Sequence, residues 1–128
     1  MMKGILKDKS FKFAVRIVNL YRYLCDEKRD FILSKQVLRS GTSIGAMIRE
    51  AEYPESNADS IHKMSIAQKE TNETIYWLEL LAETEYITKN EFESINIDAI
   101  EIIKMVTSSI KTAKSNTKSQ TTDLISNI

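Results

Sequence analysis

The chain of 128 residues has little of what breaks or cross-links a polypeptide: three glycines, one proline and one cysteine. So few turn formers disfavour an all-β fold, whose strands need a tight turn every few residues. The lone cysteine, Cys25, excludes an internal disulfide and fits a reducing, cytoplasmic setting. No apolar run approaches the roughly 18 to 20 residues of a membrane span. The opening residues, MMKGILKDKSFKF, carry charges where a secretory leader would be apolar. Net charge is absent too, since 18 Lys and Arg balance 18 Asp and Glu. That balance argues against strong non-specific binding to RNA or DNA, whose footprint is a clearly basic domain.

What is present is helical periodicity. One stripe of the first segment, Ser10 to Cys25, holds Phe11, Ala14, Val15, Val18, Tyr21 and Cys25. Phe13, Ile17, Leu20 and Leu24 widen it, so this helix is expected to be buried over much of its circumference. Asp8 or Ser10 is placed to cap its start. The second segment, Phe31 to Glu52, buries Leu33, Val37, Ile44, Met47, Ile48 and Ala51. Gly41 and Gly45 lie inside it, four residues apart, where glycine costs a helix about 0.5–1 kcal/mol relative to alanine. Either another helix approaches closely there or the helix kinks. Pro54 ends this helix near Tyr53. Ser56, Asn57 or Asp59 then caps a third helix, which runs to about Thr84 on Ile61, Met64, Gln68, Thr71, Ile75, Leu78 and Ala82. The fourth, about Lys89 to Lys114, carries Phe92, Ile95, Ala99, Ile102, Ile103, Val106 and Ile110. Residues 1–9 read as a lead-in, 10–114 as one bundle and 115–128 as a disordered polar tail. The expected fold is all-α, an up-down-up-down antiparallel four-helix bundle.

The middle of the chain carries a resemblance. Arg39, Ser40, Ser43, Ile44, Ala46, Ile48 and Glu50 form one motif. Lys63, Ile66, Ala67, Lys69, Glu70, Glu73, Trp77 and Leu78, closed by Tyr86 and Ile87, form the other. These motifs resemble the bacterial four helix bundle protein family, which includes the proteins encoded in intervening sequences of the 23S ribosomal RNA gene. The likeness covers roughly residues 10 to 110, and Met47 stands where the family often has Asn. Some members are similar to the accessory protein of diversity-generating retroelements, which forms a pentameric barrel and engages nucleic acid and a reverse transcriptase. The resemblance therefore implies a homo-oligomer, a pentamer by analogy, and a possible association with RNA or DNA.

Charge is distributed unevenly. Residues 1–50 hold eleven Lys and Arg against five Asp and Glu, a net of +6. Residues 51–101 hold three against twelve, a net of −9. Complementary faces meeting head-to-tail between copies are the leading reading, and plainly solvated faces come next. The third is a phosphate-binding surface on helices one and two, with Lys12, Arg16, Arg22 and Arg39 as candidate contacts. Tyr21 and Tyr23 around Arg22 add an aromatic-basic signal, whereas Trp77 and Tyr76 read as core before they read as a base-stacking platform. A polar network of Arg39, Ser43, Glu50, Lys63, Lys69, Glu70 and Glu73 is expected between helices two and three, or between subunits. Arg39 should meet the carboxylates of helix three, and Glu50 should meet Lys63.

Catalytic chemistry is not evident. The single histidine, His62, cannot supply the two Glu-x-x-His motifs of a di-iron bundle, so no metal or other cofactor is expected. Cys25 reads as a buried structural thiol, and an enzyme reading would use the carboxylates of Glu50, Glu70 and Glu73. The sequence thus points to a non-enzymatic, self-assembling scaffold with a possible protein partner and no membrane contact. The alternative is an RNA- or DNA-binding accessory protein.

Overall fold

Each helix boundary follows from a local hydrogen-bonding device. The structure is a computed structural model describing residues 2–126, with side chains described from residue 4 to residue 117. Its helices are α1 (Met2–Asp26), α2 (Leu33–Glu52), α3 (Asn57–Glu83) and α4 (Lys89–Ser126). Asp30 opens α2: its Oδ1 accepts the backbone N–H of Ile32 at 2.9 Å and of Leu33 at 3.0 Å, satisfying donors the first turn leaves open. Pro54 stops α2 at Glu52, with Tyr53 just beyond. Of the three candidate caps for α3, Ser56 does the work, its hydroxyl accepting from Asp59 N at 3.0 Å. Thr88 and Glu91 form a reciprocal capping box at the start of α4, with bonds of 3.1 Å and 2.8 Å.

α1 packs on α2, α2 on α3, α3 on α4, and α1 closes the ring on α4. This is the expected all-α antiparallel four-helix bundle, with α1 diagonally across from α3. Leu6, Phe13, Ile17, Leu24, Val37, Ile44, Leu78, Ile102 and Val106 fill its centre, each nearly inaccessible.

Three features differ from the sequence reading. α1 starts at Met2, not near Ser10; Leu6 is 3% exposed and draws the early turns onto the core. Ser10 is therefore interior to the helix, not its cap. α4 continues past Lys114 to Ser126, since no glycine or proline intervenes, and Asn57 Nδ2 donates to Thr117 Oγ1 along the way.

The third difference is the face of α1. Phe13, Ile17 and Leu24 form its buried stripe, while Phe11 is 53% and Val15 46% exposed. Both stripes are apolar, so periodicity could not choose between them. Contact with α2 does. A β-carbon at Gly41 would fall 2.7 Å from Ile17 Cγ1, and one at Gly45 would fall 3.4 Å from the Ser10 carbonyl oxygen. The two glycines thus mark a close helix approach.

Candidate functional site

The expected polar network forms along the outer seam of α2 and α3. Arg39 lies 3.4 Å from Glu70 Oε2 through Nη1 and pairs with Glu73 through Nη2. Ser43 Oγ donates to the Arg39 carbonyl at 2.6 Å, and Lys63 reaches Glu50 at 3.4 Å. Lys69 is exposed and stands apart from these pairs, and Met47 packs half-buried against the core. Beneath the seam is a contact the sequence reading missed. Thr74 Oγ1 lies 2.9 Å from Ser40 Oγ and 2.8 Å from the Glu70 carbonyl, and both side chains are fully buried. The available signal was that hydroxyl residues at buried helix positions bond back to the carbonyl four residues earlier. Thr71 does the same, donating to the Ala67 carbonyl at 2.7 Å.

A second polar seam joins α1 to α4. Arg16 Nη1 reaches Asp98 at 2.8 Å and its Nη2 donates to Ser94 Oγ at 2.8 Å, while Lys9 sits 2.5 Å from Glu101. The hydrogen bond to Glu101, aided by its charge, holds the Lys9 ammonium above the usual lysine range. Part of the basic-acidic complementarity is therefore met within one chain. Of the four candidate phosphate contacts, Arg16 and Arg39 are engaged with carboxylates. Lys12 and Arg22 are exposed and form no ion pair among the described residues.

Ile32, Tyr53 and Ile97 are exposed singly, and two unlike faces stand out on opposite sides of the bundle. On α1, Phe11, Lys12, Val15 and Arg22 point outward, and Arg49 of α2 stacks 5.2 Å from the Phe11 ring. On α3, Tyr76 is 56% exposed and shares an outer stripe with Glu79 and Glu83. Tyr76 is thus not enclosed, whereas Trp77 packs against the core with its ring 5.0 Å from that of Tyr76. One face is apolar and basic, the other aromatic and acidic.

The remaining candidates fall into place separately. Cys25 is half-buried with Sγ 3.7 Å from Ser34 Oγ. Its hydrogen bond with Tyr21 raises the phenol above its ordinary range. His62 is exposed on the first turns of α3, and Asp59 beside it accepts from Glu55 N at 3.2 Å. No three His, Cys, Asp or Glu side chains converge on a point where they could hold a metal, among the described residues. No helix among them is long and apolar enough to cross a membrane.

Fold and surface together define a small four-helix bundle with polar seams and two unlike outer faces. The chain belongs to the 23S rRNA-intervening sequence protein family, whose model matches residues 3–108. It is also similar to the crystal structure of a protein with unknown function from the S23 ribosomal protein family of Bacteroides thetaiotaomicron. The two are 61% identical over 87% of this chain and 99% of that one, with a TM-score of 0.86. No curated protein matches.

Proposed function

We infer that the protein is a non-enzymatic, cytoplasmic scaffold that assembles with copies of itself through its two outer faces. The observation that carries this reading is the exposed pair Phe11 and Val15, flanked by Lys12, Arg22 and Arg49. Large apolar side chains on an outer helix face favour burial against another surface. The chain's own complement, Tyr76 with Glu79 and Glu83, lies on the diagonally opposite helix. It cannot reach Phe11 within one molecule, but it can in the next. Such contacts are heterologous, so they close into a ring or run on as a filament. The family resemblance favours a closed pentamer. The same surface leaves Lys12 and Arg22 available to a phosphate, but Arg16 and Arg39 would first have to leave their carboxylates.

Light scattering coupled to size-exclusion chromatography tests the reading. The wild type is expected at a multiple of 14.7 kDa, and Phe11→Asp at the monomer mass with unchanged helicity. A wild type that stays monomeric at every concentration overturns it.

A further inference from the structure

At the end of the bundle beside the α2–α3 turn, the four helices leave a cavity of about 350 Å³. The space opens to the surface, and small-molecule pockets begin at about 300 Å³. Its apolar lining includes Leu6, Ile48, Met64 and Ile110, each 9% exposed or less. Polar groups line it as well: Glu52 on α2, Asn57 and Ser60 on α3, and Ser109, Thr112 and Asn116 on α4. Among the described residues that line it, Glu52 alone is ionisable. The Glu52 side chain is only 16% exposed, and its cation, Lys7, is held loosely at 3.7 Å on a side chain that is 40% exposed. Glu52 also lines the neighbouring polar hollow that holds Lys7, Arg49 and Lys63, so it borders both spaces. A shielded carboxylate with a distant partner, bordering a largely apolar pocket, fits an aliphatic chain ending in an ammonium group.

We propose that this cavity binds a primary alkylamine, its chain between Leu6, Ile48, Met64 and Ile110 and its ammonium group on the Glu52 carboxylate in place of Lys7. Burial of the chain supplies affinity, and the charge-assisted hydrogen bond to Glu52 fixes orientation. The site is independent of the outer faces of α1 and α3, so the assembly reading and this one stand or fall separately.

Isothermal titration of the full chain with hexyl-, heptyl- and octylammonium tests the proposal. Saturable binding at one site per chain is expected, tightening about fourfold with each methylene until the cavity fills. Glu52→Gln should weaken octylammonium about tenfold or more, and octanoate should bind correspondingly worse than octylammonium. Ala113→Phe, which fills the cavity from α4, should abolish binding. The chain-length series on the unaltered protein decides the matter if that variant does not fold. Absence of saturable binding, affinity indifferent to chain length, or octanoate binding as tightly as octylammonium overturns the proposal.

Discussion

Gly41 of α2 lies directly against Ile17 of α1, so closely that a β-carbon on the glycine would fall within 2.7 Å of Ile17 Cγ1 and 2.8 Å of its Cγ2. Both atoms are bonded to Ile17 Cβ, so the obstruction is the stiff base of a β-branched side chain. Gly41→Ala gains about 1 kcal/mol of helix propensity but must push α1 and α2 apart. A net loss of about 1–3 kcal/mol is expected. Gly45→Ala meets Ser10 at ordinary contact distance, its carbonyl oxygen at 3.4 Å and its Oγ at 3.5 Å, so it should lie within about 1 kcal/mol of wild type, on the stabilising side. Urea denaturation of the two variants reads the difference. Equal behaviour would mean that the close approach is not centred on Ile17.

The buried Ser40–Thr74 contact ties α2 to α3 by a hydroxyl pair. Thr74→Val keeps the shape but leaves Ser40 Oγ with only the Val37 carbonyl, 3.5 Å away. An underbonded buried hydroxyl costs about 1–3 kcal/mol. Ser40→Ala should cost less, because Thr74 keeps its bond to the Glu70 carbonyl. The double variant should be more stable than the two single losses add up to, which a double-mutant cycle measures.

Glu85 adopts a left-handed conformation, φ 66°, at the end of α3, where Tyr86 N bonds back to the Leu81 carbonyl at 2.9 Å. Glycine is the residue suited to this position. Glu85→Gly is expected to raise stability by up to about 1 kcal/mol, because relief of the strain exceeds the added freedom of the unfolded chain. Thermal denaturation checks it, and a lower midpoint would contradict it.

Lys9 and Tyr21 make the fold sensitive to alkali. Both groups hold their protons more tightly folded than unfolded, Lys9 through Glu101 and Tyr21 through Cys25. Each contribution is complete below the ordinary values of 10.5 and 10.0 and is lost as pH rises through the folded-state values. Stability should be indifferent to these two groups near neutrality and decline at alkaline pH. Lys9→Met combined with Tyr21→Phe should flatten that decline, as denaturation across the alkaline range would reveal.

Much of the fold was legible because α2 and α4 each present one apolar stripe, and because Pro54 and the Thr88–Lys89 junction mark their own boundaries. The Arg39–Glu73 and Glu50–Lys63 pairs followed from helical spacing and antiparallel packing. What escaped was set by tertiary contact. α1 is apolar on two sides, and only its fit to Gly41 and Gly45 buries Ile17 while leaving Phe11 outside. Asp30 escapes as the cap because periodicity starts the segment at Phe31, whereas the helix begins at Leu33, three residues after Asp30. Ser40 and Thr74 look like surface residues until both helices are in place.

The central claim is that the apolar-basic face of α1 is completed by the acidic face of α3 on a second copy. Charge reversal tests it most directly. Lys12→Glu/Arg22→Glu and Glu79→Lys/Glu83→Lys are made separately, and their masses are measured by light scattering alone and mixed. Each variant alone is expected to dissociate, and mixing them to restore association. Contacts between reversed faces then alternate with contacts between unaltered ones, an alternation that fits an even-membered ring or an open chain and not a closed pentamer. Assembly unaffected by either reversal, or a wild type that never assembles, would contradict it.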